Sequence, residues 1–141
     1  MLDFKIWLVN RVTTDATIQS LLGASSASDV PFFPLDIDIT PEDFPCITYS
    51  TITNTVWSRP QGIHEGTIQI DVWSKTNALE VENLYERLDY LLNFKDSTTQ
   101  SITGTMWWIR EQMERDMHDA QRRVWHKSVD YRFWVSRTNN T

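Results

Sequence analysis

The sequence predicts an α+β fold: a largely antiparallel sheet of about four to five strands, with one long helix and N-terminal helices packed on it. Three observations carry this expectation. Residues 77–94 set Val81, Leu84, Tyr85, Leu88, Leu91 and Leu92 at intervals of three and four, the repeat of one helix face. Residues 67–74 and 124–135 alternate instead. Ile68, Ile70 and Val72 oppose Gln69, Asp71 and Trp73, and Val129, Tyr131, Phe133 and Val135 oppose Ser128, Asp130, Arg132 and Trp134, as in strands with two unlike faces. The order along the chain is helix, hairpin, helix, hairpin, which puts helices on one face of a sheet.

One domain over residues 1–141 is expected, because 40% hydrophobic and 23% charged residues match an ordinary globular core of this length. Phe4, Trp7, Leu8 and Val12 have helical spacing and mark a helix over 3–12. Ile18, Leu21 and Leu22 mark a short one over 15–22, ended by Gly23. Thr14 or Asp15 is placed to cap the second helix by accepting its first N–H groups. The small polar run 24–29 is a loop. Pro31, Pro34 and Pro41 then punctuate an extended arm over 31–43, where Leu35, Ile37 and Ile39 alternate with Asp36 and Asp38. That pattern suits an edge strand or an arm lying on a neighbour.

Residues 46–57 are rich in Ile, Thr, Tyr and Val and form a strand. Arg59-Pro60-Gln61-Gly62 is a turn signal, so 46–74 is a long hairpin with a mobile tip around 57–65. Asn77, with Glu80 three residues on, resembles a capping box for the long helix. Residues 96–104 are polar and turn-like. Two further strands follow over 105–113 and 124–135, joined by a highly charged turn over 114–123, and 136–141 form a flexible tail.

The chemistry is sparse. Thirteen basic against 19 acidic residues give a net charge of −6, which weighs against wrapping nucleic acid by neutralising phosphates. Cys46 is the single cysteine, so an intramolecular disulfide and a Cys-rich zinc site are excluded; in a strand it reads as a small buried thiol. Asp3 and Lys5 interrupt the first apolar residues, which argues against a signal peptide, and no uncharged apolar run approaches the roughly 20 residues of a membrane span. His64, His118 and His126 lack the helical zinc spacing. His118 with Glu114 and Asp116 reads as a solvated turn, and no Gly-x-Ser-x-Gly elbow occurs. No catalytic, metal or cofactor site is therefore assigned, and a non-enzymatic protein is expected.

Basic residues gather in the last third, where Arg122, Lys127, Arg132 and Arg137 intermix with Trp125 and Trp134, superficially like an aromatic and basic nucleic-acid surface. Glu111, Glu114, Asp116, Asp119 and Asp130 thread the same hairpin, and cross-strand ion pairs account for both signs. Seven tryptophans are the more telling feature. Trp73 and Trp134 fall opposite the apolar rows, and Trp107 and Trp108 must point to opposite sides of their strand. Partners that cover aromatics on both faces are expected, since Trp is enriched at interface centres.

The ordered set formed by Leu21-Leu22-Gly23, the proline arm, Phe44-Pro45-Cys46-Ile47-Thr48-Tyr49, residues 66–74, the helix with Leu84 and Leu88, and Tyr131-Arg132-Phe133-Trp134-Val135 resembles the tail-terminator or tail-completion proteins of long-tailed bacteriophages. The resemblance runs from about Leu8 to Val135. Trp107-Trp108, the segment 114–123 and the tail 136–141 have no counterpart in it. It implies a structural virion protein, assembled in the host cytoplasm, that forms a ring, usually a hexamer, on the head-proximal end of the tail tube. Such a ring ends tube growth and presents the head-attachment surface. The implied partners are further copies of the chain, the tail tube protein, a head-completion or neck protein, and DNA that passes through the channel without specific binding; no membrane or cofactor is implied.

A ring needs two different lateral surfaces on each subunit. Trp57, Arg59, His64 and Glu65 at the hairpin tip, Phe32, Phe33, Leu35 and Ile37 on the arm, and Trp73 and Trp134 are the candidate interface residues. The negative balance suggests an acidic channel. A neck or head-completion connector is the alternative, and a small enzyme acting on nucleic acid through the charged hairpin is a more distant one.

Overall fold

The computed structural model describes residues 2–34, 44–58, 63–96, 98, 105–119 and 123–137. Two helices, α1 (Leu2–Thr13) and α2 (Ala16–Leu21), precede a short strand β1 (Phe32–Pro34). Then come β2 (Cys46–Ser58), β3 (Ile63–Ser74), the long helix α3 (Ala78–Leu92), β4 (Lys95–Asp96), β5 (Thr105–Asp119) and β6 (Val124–Arg137). The strands form one sheet in the order β1-β2-β3-β6-β5-β4. Every neighbouring pair is antiparallel except β1 with β2.

Six strands thus replace the expected four to five. The two additions are stubs of three and two residues at the sheet edges, too short to leave a periodic signal. Three boundaries also move. β3 begins at Ile63 rather than Thr67, and the charged segment expected as a turn is strand as far as Asp119, pairing Glu114 with Val129 through to Asp119 with Val124. Cross-strand partners explain this: Arg115 meets Asp130 at 3.2 Å, and Lys127 meets Asp116 at 3.3 Å. Charges that look solvated in one dimension are paired across a hairpin. Ser136 and Arg137, expected in the tail, pair with Met106 and Thr105.

The helices lie on one sheet face because that face carries the apolar rows. Val81, Leu84, Leu88, Leu91 and Leu92 of α3 are buried with Ile68, Ile70, Val72, Val129, Tyr131 and Phe133 in one cluster. Burying those five side chains contributes on the order of 10 kcal/mol before entropy. Asn77 accepts the Glu80 N–H at 2.8 Å, one half of the expected box; the Glu80 carboxylate instead accepts the Ser74 hydroxyl at 2.7 Å, tying the helix start to the end of β3. Helix α1 buries Phe4, Leu8 and Val12 and covers Trp107, whose ring lies 4.2 Å from Trp7 and 5.7 Å from Phe4. This indole therefore belongs to the core.

Asp15 fixes the helical layer. Its Oδ2 accepts the Ile18 N–H at 3.0 Å as the cap of α2, and its two oxygens accept Arg87 Nη2 at 2.6 Å and Nε at 2.9 Å. The Arg87 hydrogen bond, opposed by burial, holds the carboxyl below its ordinary range. Gly23 closes α2 at φ 68, where a glycine needs no strain.

Candidate interaction surfaces

The ladder registers define the face turned away from the helices as a set of rows running β2, β3, β6, β5. Cys46, Trp73, His126 and Met117 form one row. Thr48, Asp71, Ser128 and Arg115 form the next, followed by Ser50, Gln69, Asp130 and Met113. Further along lie Thr67, Arg132 and Arg110, then Glu65, Trp134 and Trp108. The face is polar at its centre and aromatic at both ends.

Its centre is a closed network. Asp71, 1% exposed, accepts Gln69 Nε2 at 3.1 and 2.9 Å and lies 2.7 Å from His126 Nε2. Burial disfavours its charge, yet hydrogen bonds from His126, Gln69 and Ser128 outweigh that and hold the carboxyl below its usual value. Trp73 stacks on the His126 ring at 3.7 Å and 7°, donates its indole N–H to Thr48 Oγ1 at 3.0 Å, and stacks with Phe44 at 5.6 Å. Arg115 bridges Ser128 and Asp130. The His–Asp pair has the partners of an acid–base dyad, but the hydroxyls beside it, Thr48 and Ser128, are buried and engaged. The network braces the sheet. Cys46, 0% exposed, packs with Phe44 and Val124 at its end.

The expected interface residues are thereby divided. Trp73, Glu65 and Trp134 share the helix-free face, with Glu65 paired to Arg132 and Trp134 opposite Trp108. Trp108 and Phe94 both lie against Arg110, at 5.4 and 5.8 Å from its guanidinium. His64 faces the helix side, in the row of Val135. Phe32 is buried against Tyr49, and Phe33 packs with the Phe44 and Trp73 cluster, so the described part of the arm is seated on its own subunit. Trp57 is in β2, with its side chain outside the described set; Arg59, Leu35 and Ile37 lie outside the described residues.

On the helix side, α3 and the β5–β6 hairpin hold a charged cluster. Lys127, 2% exposed, reaches Glu82 at 2.6 Å and lies 4.4 Å from the centre of the Tyr85 ring. Burial works against its charge, but Glu82 and Asp116 raise its pKa above the ordinary lysine value. Burial raises the Asp89 and Glu111 carboxyls, and Tyr85 donates to Glu111 at 2.5 Å. A cleft of about 300 Å³ opens beside this cluster, lined by residues that include Val81, Glu82, His118 and Trp125, with the His118 and Trp125 rings stacked at 4.8 Å. Among the described residues no group of three His, Cys, Asp or Glu is arranged to hold a metal ion.

Four features had no sequence signal: the Asp71–His126 contact, 55 residues apart, and Ile52, Met113 and Met117, which are 53%, 49% and 46% exposed. Their exposure depends on which strands end up at the sheet edges. The family model of tail completion protein gp17 matches residues 7–136. No curated protein matches the sequence. Among solved structures, a chain of the virion of a native gene transfer agent (GTA) particle is similar at TM-score 0.69, with 8% identity, over 92% of this chain and 91% of that one. At that identity the likeness is one of fold.

Proposed function

This chain belongs to the tail completion protein gp17 family, and from that premise we propose that it forms a ring on the head-proximal end of the tail tube. It is a structural protein of the virion tail. In the proposed role the ring stops tube growth and offers the surface to which a head-completion or neck protein attaches. The observation that supports a subunit completed by others is the helix-free face, where Trp108 and Trp134 stand side by side, half-buried, at one end of a braced polar sheet. Half-buried aromatics on a rigid platform are the anchors that protein interfaces use.

The net charge of −6 supports a channel that repels DNA and lets it slide. Phe33, Glu65, Trp73 and Trp134 are the proposed contacts on this face. The test is tail morphology: particles assembled without this protein should carry tails of uncontrolled length. Tails of normal length that fail to join heads would instead assign the protein to the neck.

A further inference from the structure

We propose that copies of this chain join head to tail through the two open edges of the sheet, residues 50–58 of β2 in one copy pairing with residues 112–119 of β5 in the next. The proposal rests on the ring reading above and specifies its lateral contact. At one edge β1 covers only Ile47, Thr48 and Tyr49 of β2. At the other, β4 covers only Trp108 and Ile109 of β5, and just beyond it Asn93 Oδ1 accepts the Glu111 N–H at 2.8 Å. Among the described residues the remainder of both strands has no outer neighbour. Each strand therefore presents a row of backbone N–H and C=O groups that templates another strand.

Four observations fit these two edges to each other. First, the open runs are of similar length and lie at opposite ends of the sheet, because the row of Ser50 crosses β5 at Met113, while β5 continues open to Asp119. Sliding one copy by about four to five residues brings the runs alongside, with each stub abutting the end of the other copy's run. Over the four long strands that each copy adds, about 4.8 Å apart, that offset tilts the strands by roughly 35–40° from the ring axis, within the tilt range of closed barrels. Second, β2 and β5 run in opposite directions within the sheet. Rotation about an axis along the strands preserves that opposition and yields an antiparallel pair.

Third, residues 46–58 contain no Asp, Glu, Lys or Arg, whereas the open β5 run carries Glu114, Arg115 and Asp116. A neutral edge accepts a charged one without setting like charges opposite each other. An uncharged, β-branched edge of this length is also an aggregation hazard unless something pairs with it. Fourth, of the few large apolar side chains that stand exposed, Ile52 lies on one open run and Met113 and Met117 on the other. Head-to-tail pairing covers all three.

The experiment is disulfide trapping in the full-length chain, whose own Cys46 is buried. Ile52→Cys is combined with Met113→Cys or with Met117→Cys and oxidised on purified protein and on tails. The expected result is a ladder of covalent oligomers in a double variant, absent from each single variant. Ile52→Lys, at an exposed site, should keep the melting temperature and lose the ring. Rings that form without any cross-link, and that survive Ile52→Lys, overturn the edge pairing and leave the ring intact. Covalent dimers from Ile52→Cys alone would mark β2–β2 pairing and also overturn it. Protein that stays monomeric on tails, with tail length still controlled, overturns the ring reading itself.

Discussion

Replacing Asp71 with Asn removes one charge and almost no volume, so the loss of stability isolates what the carboxylate does at the centre of the sheet. The two Asp71 oxygens accept both contacts from Gln69 Nε2 and the contact with His126 Nε2. An amide has one acceptor oxygen, so its NH₂ group faces either the Gln69 amide or the His126 ring, and that neighbour must turn over or change tautomer to accept it. A hydrogen bond to a charged group is worth about 1.5–3 kcal/mol, and a buried donor left without an acceptor costs about 1–3 kcal/mol more. Because Gln69 and His126 can turn partly toward solvent, the expected loss at pH 7 is about 2–4 kcal/mol. That corresponds to a fall in melting temperature of roughly 5–15 °C for a chain of this size.

Urea unfolding followed by tryptophan fluorescence, with Trp73 stacked beside the site, measures the difference. The pH dependence supplies a second check. The folded Asp71 carboxyl titrates below the ordinary aspartate value, so its contribution is complete above the unfolded pKa and disappears as pH falls through the folded one. Wild type and Asp71→Asn should therefore converge in acid, from about pH 4 downward. A loss under about 0.5 kcal/mol at pH 7, or a gap that persists unchanged to the lowest pH reached, would refute the reasoning.

Asp15→Ala removes the α2 cap and the Arg87 clamp together and should cost about 1–2 kcal/mol in thermal unfolding, the partly exposed arginine limiting the ion-pair share. Since that carboxyl is also held low, the difference should shrink as pH drops below the ordinary aspartate range. Leu84→Ala, at a fully buried position under α3, should cost about 2–5 kcal/mol in denaturant midpoints. Trp134→Ala should change stability by less than about 1 kcal/mol and yet depress the yield of joined particles in a complementation assay; normal particle yields would remove Trp134 from the proposed contacts.

The parts of the fold visible in the sequence are those whose periodicity is set locally. The stripe of α3 and the alternation around Ile70 and Val129 appear in the structure as written, because one helix or strand with one buried face fixes its own pattern. What escaped depends on residues far along the chain. Glu114 to Asp119 look like a solvated turn until Lys127 and Asp130 are placed opposite them. Trp107 looks like an aromatic in need of a partner until α1 lies over it. The open edges are also invisible from sequence, because they follow from strand order and not from the composition of any one strand.

The seam between β3 and β6 has a consequence for how the chain is made. Each of its pairings, from Ser74 with Trp125 to Ile63 with Ser136, spans α3 and the whole of β5, so the centre of the sheet is its least local part. The β2–β3 hairpin is complete once Ser74 has emerged from the ribosome, but its second long edge is closed only by β6, which begins at Val124. While the chain from Ser74 to Val124 is made, a finished hairpin with an uncharged strand waits unshielded, and α3, which follows it directly and packs on β3, is the first element able to cover its apolar face.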